Sequence, residues 1–123
     1  ASKADAAYVY AREKRFENLE PEIIKGIARE YKYSLKYAKD RNYENIEPEI
    51  ITTIADDPYS SLQYALSTNS DSLEPEIIQG IMKEPLYIYD YASAKKFQNL
   101  PEPIYSELDI KGNLPPNATM ATS

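Results

Sequence analysis

The residues best placed to do chemistry are three pairs of carboxylates, Glu20/Glu22, Glu47/Glu49 and Glu74/Glu76, each straddling a proline. Paired carboxylates can divide acid and base roles between them. The spacing argues against that here, because residues two apart on a helix point away from each other. An anion in the first turn of a helix is favourable in any case, since the N–H groups there carry partial positive charge. Histidine and cysteine are both absent, which removes the commonest general base, every thiolate and every disulfide. Asp56-Asp57 stands ahead of a helix and reads as a cap. The alternating oxygen ligands of a calcium loop are missing. No serine or lysine has a visible base and orienter. Gly26, Gly80 and Gly112 are isolated and make no phosphate-cradling loop. The expectation is a non-enzyme with no catalytic residues, metal or cofactor.

What positions those carboxylates is a repeat. "LEPEII" at 19–24 returns as "IEPEII" at 46–51 and "LEPEII" at 73–78, a period of 27 residues that Pro101 continues. Tyr10-Ala11, Tyr37-Ala38, Tyr64-Ala65 and Tyr91-Ala92 keep the same interval, as do Ile27, Ile54, Ile81 and Leu108. Phe16, Tyr43 and Phe97 follow it too, with Ser70 breaking the series. A fixed period between about 20 and 50 residues marks a repeat array.

Each unit reads as two short helices. Pro21 suits the first helical position, where a missing N–H costs nothing. Leu19 ahead of the cap and Ile24 in the first turn are placed as a hydrophobic staple. Ile23, Ile24, Ile27 and Ala28 form one apolar stripe. Asn18, Asn45, Ser72 and Asn99 end the preceding loops. The partner helix, "PYSSLQYALST" at 58–68, buries a stripe of leucine, tyrosine and alanine. Helices this short are marginal alone and need stacked neighbours. The expected fold is all-α, a right-handed-type solenoid of four helix-pair repeats (about 4–30, 31–57, 58–84 and 85–109), making a single domain over 1–109. Residues 110–123 carry Gly and Pro-Pro and are expected to form an irregular tail or linker.

The frame "YA…EPEII" over residues 6–109 resembles the short tandem YA-type helical repeats of tailed bacteriophages and bacteria. That resemblance implies a helical array, and a phage protein acting on a host or defence component. It implies no catalytic residue.

Net charge is −6, so nucleic acid, which rewards a basic surface, is not an expected partner. No apolar run approaches the roughly 20 residues that cross a bilayer, and the first sixteen residues lack the apolar centre of a leader. Cytoplasm is the expected location, the host's if the chain is phage-encoded. Arg12, Lys14, Arg15, Lys39, Arg41, Lys95 and Lys96 gather at the opposite helix ends, a loop away from the glutamates they should offset.

Tyrosine is over-used, at 12 of 123 residues. Tyr10, Tyr37, Tyr64, Tyr91, Tyr8, Tyr89, Tyr43 and Tyr105 take apolar positions of the repeat and are expected in or near the core. Tyr31, Tyr33, Tyr59 and Tyr87 do not. A helical wheel puts Tyr59, Leu66, Leu86 and Val9 on the outer side of their helices, with Tyr33 and Tyr87 at its border. Exposed apolar groups of this kind mark contact sites. Tyr33, Tyr59, Leu66, Leu86 and Tyr87 are therefore the candidate residues for binding a protein partner or a second copy. The alternatives are a structural or oligomerisation domain of a larger protein, and an acidic inhibitor mimicking nucleic acid through its glutamates.

Overall fold

A computed structural model describes residues 2–121 and shows eight α-helices and no strand among them. They are α1 (Lys3–Glu13), α2 (Pro21–Ile27), α3 (Tyr31–Asp40), α4 (Pro48–Asp56), α5 (Pro58–Thr68), α6 (Pro75–Met82), α7 (Pro85–Ala94) and α8 (Glu102–Ile110). Pro21, Pro48 and Pro75 open α2, α4 and α6, with Glu20, Glu47 and Glu74 as the extended residues before them. The glutamate side chains do not cap those helices. Asp57 does cap α5, its carboxylate accepting from the Ser60 N–H at 2.9 Å.

The loops leaving α1, α3 and α7 share a backbone conformation. Phe16, Tyr43 and Phe97 are left-handed, with φ of 60°, 60° and 59°, and their N–H groups bond the carbonyls of Ala11, Ala38 and Ala92, each at 2.8 Å. Asn18, Asn45 and Asn99 are left-handed as well, a conformation that asparagine tolerates better than most residues. The conformation is less favourable for an aromatic residue, and each of the three rings has an edge-on contact, two of them with a tyrosine of the next odd-numbered helix. Phe16 lies against Tyr37 with centroids 5.6 Å apart, and Tyr43 against Tyr64 at 5.4 Å; such pairs contribute about 0.5–1.5 kcal/mol beyond burial. The third loop differs. There α5 runs on to Thr68, Asn69 supplies the left-handed cap, and Ser72 is not left-handed.

Helices pack in an ordered way. Consecutive helices touch, and so do α1 with α3, α3 with α5, α5 with α7, α2 with α4, α4 with α6 and α6 with α8. Among the described residues, no helix touches another more than two places along the chain. The core holds Ile27, Ile50, Ile54, Ile77, Ile81 and Ile104, all sealed from solvent. Gly80 lets α6 approach both α4 and α5: a Cβ there would fall 2.7 Å from the Ala55 carbonyl and 2.9 Å from Ser61 Cβ.

The end of the chain folds back. Thr119 N–H bonds the Phe97 carbonyl at 2.9 Å, Leu100 N–H bonds the Thr119 carbonyl at 3.0 Å, and Ala121 N–H bonds the Leu100 carbonyl at 2.8 Å. Leu100 and Met120 form an isolated bridge, not a strand, and Leu114 packs on the core.

Candidate interaction surface

The glutamates of the repeat have a different task from the one their helix position implies. Tyr64 Oη donates to Glu74 Oε2 at 2.6 Å. The Tyr37 hydroxyl lies 2.8 and 2.9 Å from the two Glu47 oxygens and accepts from Arg41 Nη1 at 2.9 Å. Tyr10 makes the same contact to Glu20 at a slack 3.4 Å, and Lys14 Nζ approaches that carboxylate to 3.0 Å. The fourth unit has Pro101 in place of the acid, and its Lys95 pairs with Asp71 at 3.1 Å. Tyrosine and glutamate ten residues apart are thus a structural pair. The constant offset was visible in the chain; nothing in the one-dimensional pattern showed the two groups facing each other.

Burial is the first reason the phenols hold their protons. It pushes Tyr37 up to about 12, helped by the Glu47 acceptor. Tyr91 rises to about 12 by burial and the Asp71 charge. Tyr8 also rises to about 12, by burial and by its hydrogen bond to Asp40. Tyr64 is raised further, by burial and Glu74. At neutral pH all four stay protonated, and Tyr8, Tyr37 and Tyr64 donate to Asp40, Glu47 and Glu74. No group of three acidic residues that could hold a metal ion occurs among the described residues.

The five candidate residues are distributed unevenly. Tyr59 and Leu86 are the second residues of α5 and α7, each just after the opening proline, and are 56% and 72% exposed. Tyr87 is half-buried, with its ring centroid 6.0 Å from that of Tyr59. Leu66 is exposed two turns further along α5, where it borders a cavity of about 70 Å³ beside Tyr91 and Ser70. Tyr33 is not part of that pairing. Its ring is 5.8 Å from Tyr8, and the ammonium groups of Lys32 and Lys36 stand 5.5 and 5.3 Å from it.

Comparison with protein-family models, with curated proteins and with solved structures finds no match to this chain. The surface must therefore be read from its own geometry. Two tyrosines expected near the core lie outside it. Tyr89 is 48% exposed, edge-on to Phe97 at 5.7 Å. Tyr10 is 38% exposed, although its equivalents Tyr37, Tyr64 and Tyr91 are at most 2% exposed. Phe16 and Tyr43 lie edge-on against Tyr37 and Tyr64, whereas among the described residues the Tyr10 ring is approached by the Lys14 ammonium at 5.5 Å and by no aromatic ring.

Proposed function

We propose that the chain is a solenoid-type helical array that acts as a protein–protein interaction module, binding through the outer edge of its third and fourth units. One observation carries this reading. The position held by Asp5 in α1 and Lys32 in α3 is held by Tyr59 in α5 and Leu86 in α7, both solvent-exposed. Charged residues there suit a bare helix face, whereas a large aromatic and a leucine at 72% exposure leave apolar area in water without return. Tyrosine contributes strongly to contact surfaces because it brings area at little entropic cost. The YA-type resemblance is the ground for reading it as a phage protein that engages a host or defence component. The mimicry reading is less well supported, because Lys14 and Arg41 stand beside Glu20 and Glu47 and offset their charge.

The double substitution Tyr59→Ala/Leu86→Ala tests the proposal. Association with a partner captured from host lysate, or between copies, should weaken at least about tenfold, equal to ~1.4 kcal/mol. The melting temperature should stay within about 2 °C of the parent. A protein that unfolds on this change uses these residues as core and has no such surface.

A further inference from the structure

The α1–α2 and α7–α8 surfaces differ from their internal equivalents in ways that match each other. Inside the chain, the ring of Phe16 covers Tyr37 and the ring of Tyr43 covers Tyr64. Tyr10 and Tyr91 carry no such ring, Tyr91 because Ser70 takes its place, yet Tyr91 is sealed and Tyr10 is exposed; Phe97 is the equivalent ring with no following tyrosine beneath it. Ile23 repeats the mismatch: it is half-buried, while Ile50, Ile77 and Ile104 are sealed. Around Tyr10 and Ile23 lies a groove of about 500 Å³ between α1 and α2.

Charge separates the ends in the same sense. Lys3, Lys25 and Arg29 rim the groove against the single acid Glu22. The matching positions in the second unit are Glu30, Thr52 and Asp56. At the other end α8 carries Glu102, Glu107 and Asp109. The chain also supplies a precedent for how these groups would meet. Lys83 Nζ donates to the Ala55 carbonyl at the end of α4 at 3.3 Å; Arg29 is the Lys83 equivalent, and Asp109 the Ala55 equivalent. Two copies meeting groove to groove would set cations on cations, so the occupant that fits is the far end of another copy.

We propose that the α1–α2 groove is a head-to-tail docking site for the α7–α8 end of a second copy, and that residues 111–121 cap that end and hold the chain back from assembling. The cap is physical: Leu114 packs on the core, and Thr119 and Ala121 bond the 97–100 loop. The contact is heterologous, so once uncapped it propagates rather than closing into a dimer. It rests on the stacked-repeat reading and is independent of the Tyr59–Leu86 edge.

Ending the chain after Lys111 tests the inference by sedimentation velocity. The shortened protein should stay helical and form species that grow with concentration up to about 100 µM, while the full chain does not assemble this way. Ile23→Glu should abolish the growth, and Tyr59→Ala/Leu86→Ala should leave it intact. A helical, monomeric shortened chain overturns the proposal. So does assembly that survives Ile23→Glu, or that vanishes with the Tyr59/Leu86 change; the last result assigns self-association to the edge.

Should the shortened chain lose its helices, a fusion decides. Joining residues 1–111 to residue 4 of a second copy keeps the 27-residue register, because Lys111 takes the position of Lys3. Stacking across the junction should raise the urea midpoint and bring the m-value towards about twice that of the single chain, and Ile23→Glu in the second copy should reverse both. A midpoint and slope equal to those of the single chain overturn the proposal.

Discussion

Tyr64 and Glu74 are held together by a 2.6 Å hydrogen bond that ties the odd-numbered helix of the third unit to the start of the next helix. The ring is 2% exposed and the acid half-buried, so the hydroxyl reaches its acceptor from within the core. Glu74→Ala leaves that hydroxyl without its partner and should cost about 1–3 kcal/mol; Glu74→Gln keeps an acceptor and should cost less. Tyr64→Phe placed on Glu74→Ala should recover part of the loss, as removing both partners does. Urea denaturation of the four proteins checks the order. Equal stability of Glu74→Ala and the parent would mean that the pair contributes nothing.

Alkaline pH should unfold the array through its phenols. Tyr8, Tyr37 and Tyr91 titrate near about 12 when folded, against about 10 in an unfolded chain. Above pH ~10 the unfolded state binds fewer protons than the folded one, so stability falls as pH rises. Their contribution is complete below pH ~10 and lost through about pH 12. Phenolate absorbance near 295 nm and helical ellipticity should change together over that window. Ionisation of every tyrosine near pH 10 with helix content unchanged would contradict it.

Gly80→Ala should destabilise the protein by about 1–3 kcal/mol, the usual result of overpacking, even though alanine is the better helix former by up to about 1 kcal/mol. The new methyl would meet the Ala55 carbonyl and Ser61, whereas at Gly26 it would meet only the Ala7 methyl so closely. Gly26→Ala should therefore cost less. Thermal melts of both variants give the comparison, and a Gly80→Ala protein as stable as the parent would show that α5 and α6 can separate freely.

Ile54→Asp places a charge at a fully buried position between α4 and its neighbours. A charge sealed from solvent is strongly destabilising, so the loss should reach several kcal/mol, about 3–5. Circular dichroism at rising temperature measures it; a shift of a degree or less would remove Ile54 from the core.

Much of the architecture was legible because the determinants are local and recur. The prolines at 21, 48 and 75 start helices wherever the flanking pattern permits, and the isoleucine stripe at helical spacing has one face to bury. The outward positions of Tyr59, Leu66 and Leu86 followed from the same wheel. The left-handed Phe16, Tyr43 and Phe97 were not legible. Their conformation is unfavourable in isolation and stands on contacts made elsewhere, two of them with a tyrosine of the following unit.

By itself, then, the sequence determined that about eight short helices form and that the isoleucine stripes of α2, α4 and α6 face the core, since both depend on spacing within a few turns. Tertiary structure alone decided the rest. It turned the glutamates from helix-end anions into acceptors for Tyr37 and Tyr64, and folded residues 111–121 onto the 97–100 loop. It also left Tyr10 exposed where its equivalents are sealed. The physical reason is common to all three: whether a group meets solvent, a hydroxyl or another ring depends on what a neighbouring helix or loop puts in front of it, and similar local sequences at different places in the chain have different neighbours.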